Sequence, residues 1–211
     1  MKNDNKLGEK NLDYSYSPRD IFSVNYSIYY WKIIDFLAYN FEKIASNYEN
    51  DISKEYEKET DIFETSKAQN ILHIGCGAYP VTAMTLAKMD CKNIVAIDRN
   101  PRAVKMANKI ISKKNIYDNI KIETGDGRFY PLDKFDAIII SSNSTPKIDI
   151  LNHVFNKANQ NCKIIVRELR GISKIVTKFI NSFPNIKLVK KIINHSKADS
   201  KWESFYTIKK E

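Results

Sequence analysis

Apolar residues in the last two thirds of the chain follow two alternating patterns. Continuous apolar runs such as NILHIG predict buried strands, whereas VTAMTLAKM has apolar residues at helical spacing and predicts a helix. The alternation repeats along the chain and then stops at KLVKKII and SFYTIKK, which predict two consecutive strands with no helix between them. Alternating strands and helices predict a parallel, doubly wound sheet with helices on both faces, here closed by an antiparallel hairpin.

The first third of the chain has the pattern of helices. Ser17 and Pro18 suit the cap and first turn of a helix, and a second, more charged helix is predicted from about Asn50 to Glu64. Between them, apolar residues recur every three or four positions, which predicts one apolar helix face. That face consists of Ile21, Val24, Ile28, Trp31, Ile34, Leu37, Phe41 and Ile44.

These patterns divide the chain into three segments. We predict a flexible N-terminus over residues 1–17, a helical cap over 18–66 and a Rossmann-like α/β domain over 67–211. A terminal antiparallel hairpin distinguishes Rossmann-like methyltransferases from ordinary dehydrogenase domains. The predicted fold class is therefore the doubly wound α/β sheet of the class I methyltransferase type, preceded by a helical cap.

The first predicted strand of this domain leads into the glycine loop GCGAYP. Doubly wound sheets bind ligands beyond the carboxyl ends of their strands, and Gly75 and Gly77, with the small Cys76 between them, leave the backbone there open to a ligand. Dinucleotide-binding loops have a third glycine where the pyrophosphate meets the helix N-terminus. In this chain Pro80 fills that place, which predicts a ligand without a pyrophosphate.

Two acidic residues end the next two predicted strands. Asp98, followed by Arg99, lies 23 residues after the first loop glycine, where a carboxylate can accept both hydroxyls of a ribose. Asp126, between Gly125 and Gly127, can accept a hydrogen bond from an adenine amino group. Each acid also has a simpler interpretation, since Asp98 can cap the following helix and Asp126 can be a turn residue. With the glycines, the two acids predict a nucleoside site.

Nicotinamide dinucleotides and S-adenosylmethionine both contain that nucleoside and differ at the loop. Because the loop crowds a pyrophosphate, we predict S-adenosylmethionine as the cofactor and keep a dehydrogenase as the alternative. Ser141, after the fourth strand, completes the predicted cofactor site, and Ser142 and Asn143 are placed to present polar groups to an acceptor. Arg167 and Glu168 close the fifth strand, where they can meet a substrate carboxylate and ammonium or form an ordinary ion pair.

The net charge of +9 raises the question of a nucleic-acid partner. Only six of the 34 basic residues are arginines and the lysines are scattered, so we favour a solvated lysine surface over a nucleic-acid surface. The three cysteines have no metal-type pairing and predict free thiols and no metal site. The sequence has neither a signal-peptide core nor an apolar run of about 20 residues, so we expect a cytoplasmic protein without a membrane segment.

The segment from Ile71 to Asp136 resembles class I S-adenosylmethionine-dependent methyltransferases in general. More narrowly, GCGAYPVTAMTLAK resembles the loop G-x-G-x-x-P-x-T-x-x-x-L-A-K of nicotianamine synthases and their archaeal relatives. KIIVRELRGISKIV and SFYTIKK look like that family's fifth strand with its arginine-containing turn, and its last strand. The residues that supply the loop pattern are Gly75, Gly77, Pro80, Thr82, Leu86, Ala87 and Lys88.

The resemblance implies a particular reaction. Nicotianamine synthases transfer the aminocarboxypropyl arm of S-adenosylmethionine to an amine and release methylthioadenosine. A base is needed to free the lone pair of the amine, and in that family a tyrosine and a glutamate of the N-terminal helical region supply it. The resemblance assigns this role here to Tyr48, with Glu49 or Glu42 nearby.

Three functions follow from these observations. The leading hypothesis is a monomeric or homodimeric S-adenosylmethionine-dependent transferase that moves a methyl or aminocarboxypropyl group to a small amine-bearing acceptor. The second is an RNA methyltransferase whose lysines contact phosphates, which predicts binding that weakens steeply with salt. The third is a non-catalytic module that holds a nucleoside.

Overall fold

The computed structural model describes residues 16–114, 118–197 and 201–210, so most of the predicted flexible segment 1–17 lies outside the described residues. The helices and strands are, in chain order, α1 (Pro18–Asn40), α2 (Glu42–Ile62), a 3-10 turn (Thr65–Lys67), β1 (Asn70–Ile74), α3 (Val81–Lys88), β2 (Asn93–Asp98), α4 (Pro101–Lys114), β3 (Ile120–Thr124), β4 (Ala137–Ile140), α5 (Lys147–Lys157), β5 (Lys163–Leu169), α6 (Ser173–Ser182), β6 (Ile186–His195) and β7 (Lys201–Lys209).

The strands form one seven-stranded sheet in the order β3-β2-β1-β4-β5-β7-β6. Strands β1 to β5 are parallel, and Leu72 of β1 pairs with Val95 of β2 and Ile138 of β4. Strand β7 is antiparallel to both β5 and β6. The sheet is therefore the α/β, Rossmann-like sheet with a terminal antiparallel hairpin that the sequence predicts. The strand order reverses between β1 and β4, which is where such sheets bind ligands.

Side chains of the central strands alternate between two apolar layers because successive residues of a strand point to opposite faces. Leu72 and Ile138 pack with α5 and α6, whereas Ile71 and Ile139 pack with α3 and α4. All four are almost completely buried. Burial of such a side chain contributes about 1.5–3 kcal/mol to stability, so the sheet is held mainly by apolar contacts on both faces.

Helix α1 begins with the cap that the sequence predicts. The Ser17 hydroxyl accepts the Asp20 N–H at 3.2 Å, and the Asp20 carboxylate accepts the Ser17 N–H at 3.0 Å. Pro18 occupies the first turn, where its missing N–H costs nothing. This reciprocal capping box fixes the start of the helix.

The predicted helix boundaries inside the cap are wrong. The apolar pattern continues from Ile21 to Ile44, but the chain breaks at Phe41, whose backbone is extended with φ −128° and ψ 111°. Helix α2 therefore begins at Glu42 rather than near Asn50. Neither proline nor glycine marks the break in the sequence. After the break, Ala38 of α1 and Ala45 of α2 share one apolar cluster with Met84 of α3. Within the described part of the chain, no helix is long and apolar enough to cross a membrane.

Candidate active site

A cleft of about 590 Å³ lies at the carboxyl ends of the central strands, and α1 and α2 form its opposite wall. Its volume is in the range of small-molecule and cofactor sites. Five predicted site residues do not line the cleft: Glu42, Glu49, Pro80, Arg167 and Glu168. The predicted residues that line it are Tyr48, Gly75, Cys76, Gly77, Asp98, Arg99, Gly125, Asp126, Gly127, Ser141, Ser142 and Asn143.

The glycine loop requires its glycines for backbone conformation and packing. Gly75 and Gly77 have φ values of +83° and +69°, a region that side chains disfavour. A Cβ on Gly75 would lie 2.2 Å from the Ser144 hydroxyl, and one on Gly77 would lie 2.6 Å from the Asp35 carboxylate. Both glycines thus make room for neighbouring protein side chains in addition to exposing backbone to the cleft.

A carboxylate from α1 occupies the N–H groups of this loop. Asp35 accepts the Ala78 N–H at 2.9 Å and also the Tyr79 N–H, while Asp98 accepts the Gly77 N–H at 3.0 Å. A pyrophosphate would need these donors and would meet two carboxylates. Pro80 is the buried N-cap of α3, outside the cleft. The physical reason against a dinucleotide is therefore Asp35, and the direct crowding by Pro80 that the sequence suggests is not seen.

Asp35 is the acidic group of the cleft with the most unusual titration. Burial raises the pKa of Asp35 to about 7, although hydrogen bonds from the loop and from the Tyr48 side chain oppose the shift. The Tyr48 ring lies between Trp31 and Tyr79, with ring centroids 5.6 and 5.8 Å away. A carboxyl group that titrates near neutrality inside a cleft can accept a proton from a bound ligand at physiological pH.

Asp35 is not among the residues predicted from the sequence, although its position on the helix indicates a special role. Asp35 lies four residues after Trp31 and three before Ala38, so it shares the helix face that packs on the α/β domain. An acid on an inward apolar face is costly unless it has partners or a function. The helical pattern that predicted the apolar face therefore also contained this carboxylate.

The two strand-end acids lie in the cleft with partners of their own. Asp98 accepts the Asn100 N–H at 2.9 Å in addition to the Gly77 N–H, so the capping interpretation holds alongside its position at the cleft. Asp126 pairs with Arg128 at 2.7 Å, and hydrogen bonds from Arg128 hold the pKa of Asp126 below its ordinary value. Each carboxylate oxygen can accept a further hydrogen bond, so both acids can still contact a nucleoside.

Glu49 is engaged by one tyrosine and two lysines. It accepts hydrogen bonds from the Tyr79 hydroxyl and the Lys114 ammonium, both at 2.5 Å, and lies 3.6 Å from Lys88. Although partial burial raises the pKa of Glu49, the contacts with Lys114 and Tyr79 lower it overall. Glu49 is not among the residues that line the cleft, and the carboxylate that accompanies Tyr48 there is Asp35.

Arg167 is engaged in a buried ion pair. Its guanidinium donates to Glu59 of α2 at 2.7 Å and to the Thr82 hydroxyl at 2.8 Å, and it lies 3.7 Å from the centre of the Tyr56 ring. Arg167 and Glu59 are each 2% exposed. Of the two interpretations, Arg167 forms an ordinary ion pair, and its partner is Glu59. This pair links α2 to β5.

His73 also lines the cleft, although it belongs to the apolar run NILHIG. Its Nε2 lies 2.8 Å from the Ser141 hydroxyl, and its Nδ1 is buried without a hydrogen-bond partner among the described residues. Burial lowers the pKa of His73 to about 3, so the ring is neutral and can orient Ser141. In the part of the chain that the structure describes, no group of three or more His, Cys, Asp or Glu side chains could hold a metal ion.

Two solved structures resemble this chain. MtNAS, as a Glu-to-Gln mutant in complex with S-adenosylmethionine, is 15% identical with a TM-score of 0.70, covering 90% of this chain and 76% of that chain. MtNAS in complex with MTA and tNA is 16% identical with the same TM-score, covering 90% and 74%. These likenesses show the fold.

A curated relative from Methanobrevibacter smithii is a probable cobalt-precorrin-6B C(15)-methyltransferase (decarboxylating). It is 25% identical over 107 residues, which cover 50% of this chain and 56% of that protein, so the chain matches about half of the relative's length. The family described as "Nicotianamine synthase protein" matches residues 38–208. Because this match extends over well more than half of the chain, the chain belongs to the nicotianamine synthase family.

Proposed function

We propose that the chain is an S-adenosylmethionine-dependent transferase that moves an aminocarboxypropyl group to the amine of a small acceptor. The observation that carries the proposal is the Asp35–Tyr48 pair, which the helical cap places in the cleft against the glycine loop. Membership of the nicotianamine synthase family supports the choice of group. Methyl transfer is the alternative, because the relative from Methanobrevibacter smithii is named as a methyltransferase.

The residues of the cleft suit S-adenosylmethionine better than a phosphate-bearing cofactor. Asp35 and Asp98 occupy the loop N–H groups that would otherwise receive an anion. S-adenosylmethionine has a cationic sulfonium and no phosphate, so these carboxylates attract it. In this proposal Asp98 accepts hydrogen bonds from the ribose hydroxyls and Asp126 one from the adenine amino group, and both acids line the cleft with Gly75.

The proposed reaction needs a nucleophilic amine and a base. When bound, S-adenosylmethionine supplies a carbon that the amine nitrogen attacks, as the carbon–sulfur bond breaks and its electron pair stays on sulfur. Asp35 takes the proton that the acceptor ammonium must lose, because a carboxyl group with a pKa of about 7 is about half ionised at neutral pH. The Tyr48 hydroxyl orients Asp35, and the aromatic wall of Trp31, Tyr56 and Trp202 excludes water.

The test is to identify the nucleoside product. The protein is incubated with S-adenosylmethionine and a pool of small amines, and the products are separated and weighed by mass spectrometry. Methylthioadenosine formed above the rate without protein is the expected result. S-adenosylhomocysteine would replace the proposed reaction by methyl transfer, and neither product with any amine would remove the enzymatic proposal.

A further inference from the structure

A second cavity of about 340 Å³ lies between the start of α1 and the β4–α5 loop, and we call it the side cavity. It shares Asn25, Ser142, Ser144 and Thr145 with the cleft, so the two spaces adjoin along one wall. Its other lining residues are Tyr16, Ile21, Val24, Pro146, Lys147, Ile148 and Glu168. The wall is thus apolar on the α1 side and charged at its base.

Two buried charges line the base of the side cavity. Lys147 and Glu168 are 3% and 1% exposed. The Lys147 ammonium donates to the carbonyl oxygens of Ser141 and Arg167, which uses two of its three protons. Glu168 accepts the Leu169 N–H at 2.8 Å with Oε1, and its Oε2 accepts no hydrogen bond from the described residues.

Such an arrangement is costly without a ligand. Burial raises the pKa of Glu168 and lowers that of Lys147 to about 8, and the two opposite charges only partly offset these shifts. Glu168 Oε2 is not among the fully buried atoms of the described residues that lack a partner, so it keeps accessible surface and can accept a hydrogen bond from a ligand in the side cavity. A ligand with an ammonium group would supply the missing donor, and a carboxylate on the same ligand would use the third proton of Lys147.

We propose that the side cavity binds the α-amino-acid end of the acceptor, with its ammonium on Glu168 and its carboxylate on Lys147. The inference deepens the proposed function and rests on it for the identity of the ligand as acceptor. The apolar residues Ile21, Val24 and Ile148 contact the methylene groups of the ligand. The shared wall then allows the far end of the acceptor to extend into the cleft, where the reaction takes place.

The test uses three four-carbon probes on the protein without S-adenosylmethionine: L-2-aminobutyrate, butylamine and butyrate. Titration followed by NMR should show L-2-aminobutyrate binding at least tenfold more tightly than either single-charge probe. Glu168→Gln keeps the shape and the acceptor for Leu169 but removes the charge, so it should weaken L-2-aminobutyrate binding at least tenfold. Equal binding of the three probes, or unchanged binding to Glu168→Gln, would overturn the proposal.

Glu203→Gln is the matched control. Glu203 lies directly opposite Glu168 across the β5–β7 pair, is also buried, and pairs with Lys191 outside the side cavity. It should leave L-2-aminobutyrate binding unchanged. Binding of S-adenosylmethionine is measured separately on the same samples. If that cofactor fails to bind while L-2-aminobutyrate binds through Glu168, the proposed function fails and the side cavity remains an amino-acid site.

An independent observation concerns the outer face of α1. Five large apolar side chains lie there at spacings of four, three, four and three residues, and we call them the outer stripe. The spacing is that of a coiled-coil seam. The outer stripe consists of Phe22, Tyr26, Tyr29, Ile33 and Phe36, which are 72%, 65%, 68%, 42% and 58% exposed.

We infer that the outer stripe pairs antiparallel with the same stripe of a second copy of the chain. Spacings of four and three alternate along the stripe, so a two-fold axis at Tyr29 brings Phe22 opposite Phe36 and leaves Tyr26 and Ile33 offset by one residue in an isologous interface. The exposed surface of the stripe is roughly 600 Å² per copy, on the basis of typical aromatic areas. A pair would bury roughly 1,200 Å², which reaches the lower end of specific interfaces.

The test is the mass in solution by light scattering over a range of concentrations. The wild-type chain should approach the mass of two chains as concentration rises, and Tyr29→Glu should stay monomeric because it places two carboxylates on the axis. Asn152→Glu, exposed on α5 at the opposite face of the sheet, should dimerise like the wild type. A wild-type chain that stays monomeric at every concentration would overturn the inference.

Discussion

The sheet and the helical cap are held together by different forces. Side chains such as Leu72 and Ile138 bury the two faces of the sheet with apolar contacts. The cap meets the α/β domain through an apolar cluster with α3 and, in addition, through polar groups: Glu59 pairs with Arg167, Asp35 accepts the loop N–H groups, and Ser27 donates to Asn143 at 2.9 Å. Charges and hydrogen bonds are more sensitive to pH and to single substitutions than apolar burial is. The cap should therefore respond to pH and to single substitutions separately from the sheet. The cleft lies between the two.

Arg167→Met should cause the largest loss of stability among these substitutions and should affect the cap first. It leaves Glu59 buried without its partner, and breaking a buried pair in this way costs about 3–5 kcal/mol. The free energy of unfolding, measured with denaturant, should fall by that amount, and α2 should lose protection in hydrogen exchange before the strands do. The control is Arg170→Met, because Arg170 is exposed just after β5. It should change the free energy of unfolding little. Equal loss of protection in α2 and β1 would show that the cap does not separate from the sheet.

Gly75→Ala should be next in size. The new Cβ has an unfavourable φ of +83° and lies 2.2 Å from the Ser144 hydroxyl, so we expect a loss of about 2–4 kcal/mol and of S-adenosylmethionine binding. Calorimetry measures both quantities. Gly171→Ala is the matched control, because a Cβ there meets no atom within 4 Å. A Gly75→Ala protein that binds normally would mean that the loop does not hold the cofactor.

Both the free energy of unfolding and the reaction rate should depend on pH through Asp35, a residue of the cap. Because its pKa is raised to about 7 by burial, the folded state binds more protons than the unfolded state between about pH 4 and pH 7. The contribution of Asp35 to stability therefore falls as pH rises through this window. The rate should change in the opposite direction, falling about tenfold per pH unit well below pH 7 as the base is protonated.

Asp35→Asn should remove both pH slopes, which thermal melts and rate profiles measure. Asp61→Asn, at an exposed position of α2, should keep them. A wild-type rate that is flat from pH 5 to pH 8 would be inconsistent with Asp35 as the base.

The smallest effect is expected at the start of α1. Ser17→Ala removes the side-chain acceptor of the capping box and should cost about 1 kcal/mol. Hydrogen exchange of the first-turn amides of α1 measures this local change. Ser23→Ala removes only a hydroxyl that donates to the Arg19 carbonyl, so it should change exchange less. The opposite order would show that the cap residue does not set the start of the helix.

The sheet could be predicted from the sequence because its signals are local. Buried parallel strands give continuous apolar runs, and strand ends in such a sheet meet at one edge, so the sequence alone places Asp98 and Asp126 near the cleft. The antiparallel hairpin is visible in the absence of a helix between the last two strands. These inferences depend on patterns of a few residues.

The cap could not be predicted in the same way because its contacts are distant in sequence. Asp35 and Ala78 are 43 residues apart, and Glu59 and Arg167 are 108 residues apart. Helix periodicity shows which residues share a face but not what that face meets. The break at Phe41 carries neither glycine nor proline, so the sequence extends the first helical face to Ile44 and starts the second helix near Asn50, whereas α2 begins at Glu42.

The most direct test of the central claim is the rate of methylthioadenosine formation by Asp35→Asn, at saturating S-adenosylmethionine and with an amine that the wild-type protein uses. We expect a rate about 10²–10⁴ lower than that of the wild type, which is the usual contribution of a general base. Binding of S-adenosylmethionine should stay within a few-fold, since asparagine can still accept a loop N–H. A wild-type rate in Asp35→Asn would contradict the account, because the cap would then supply no base to the reaction.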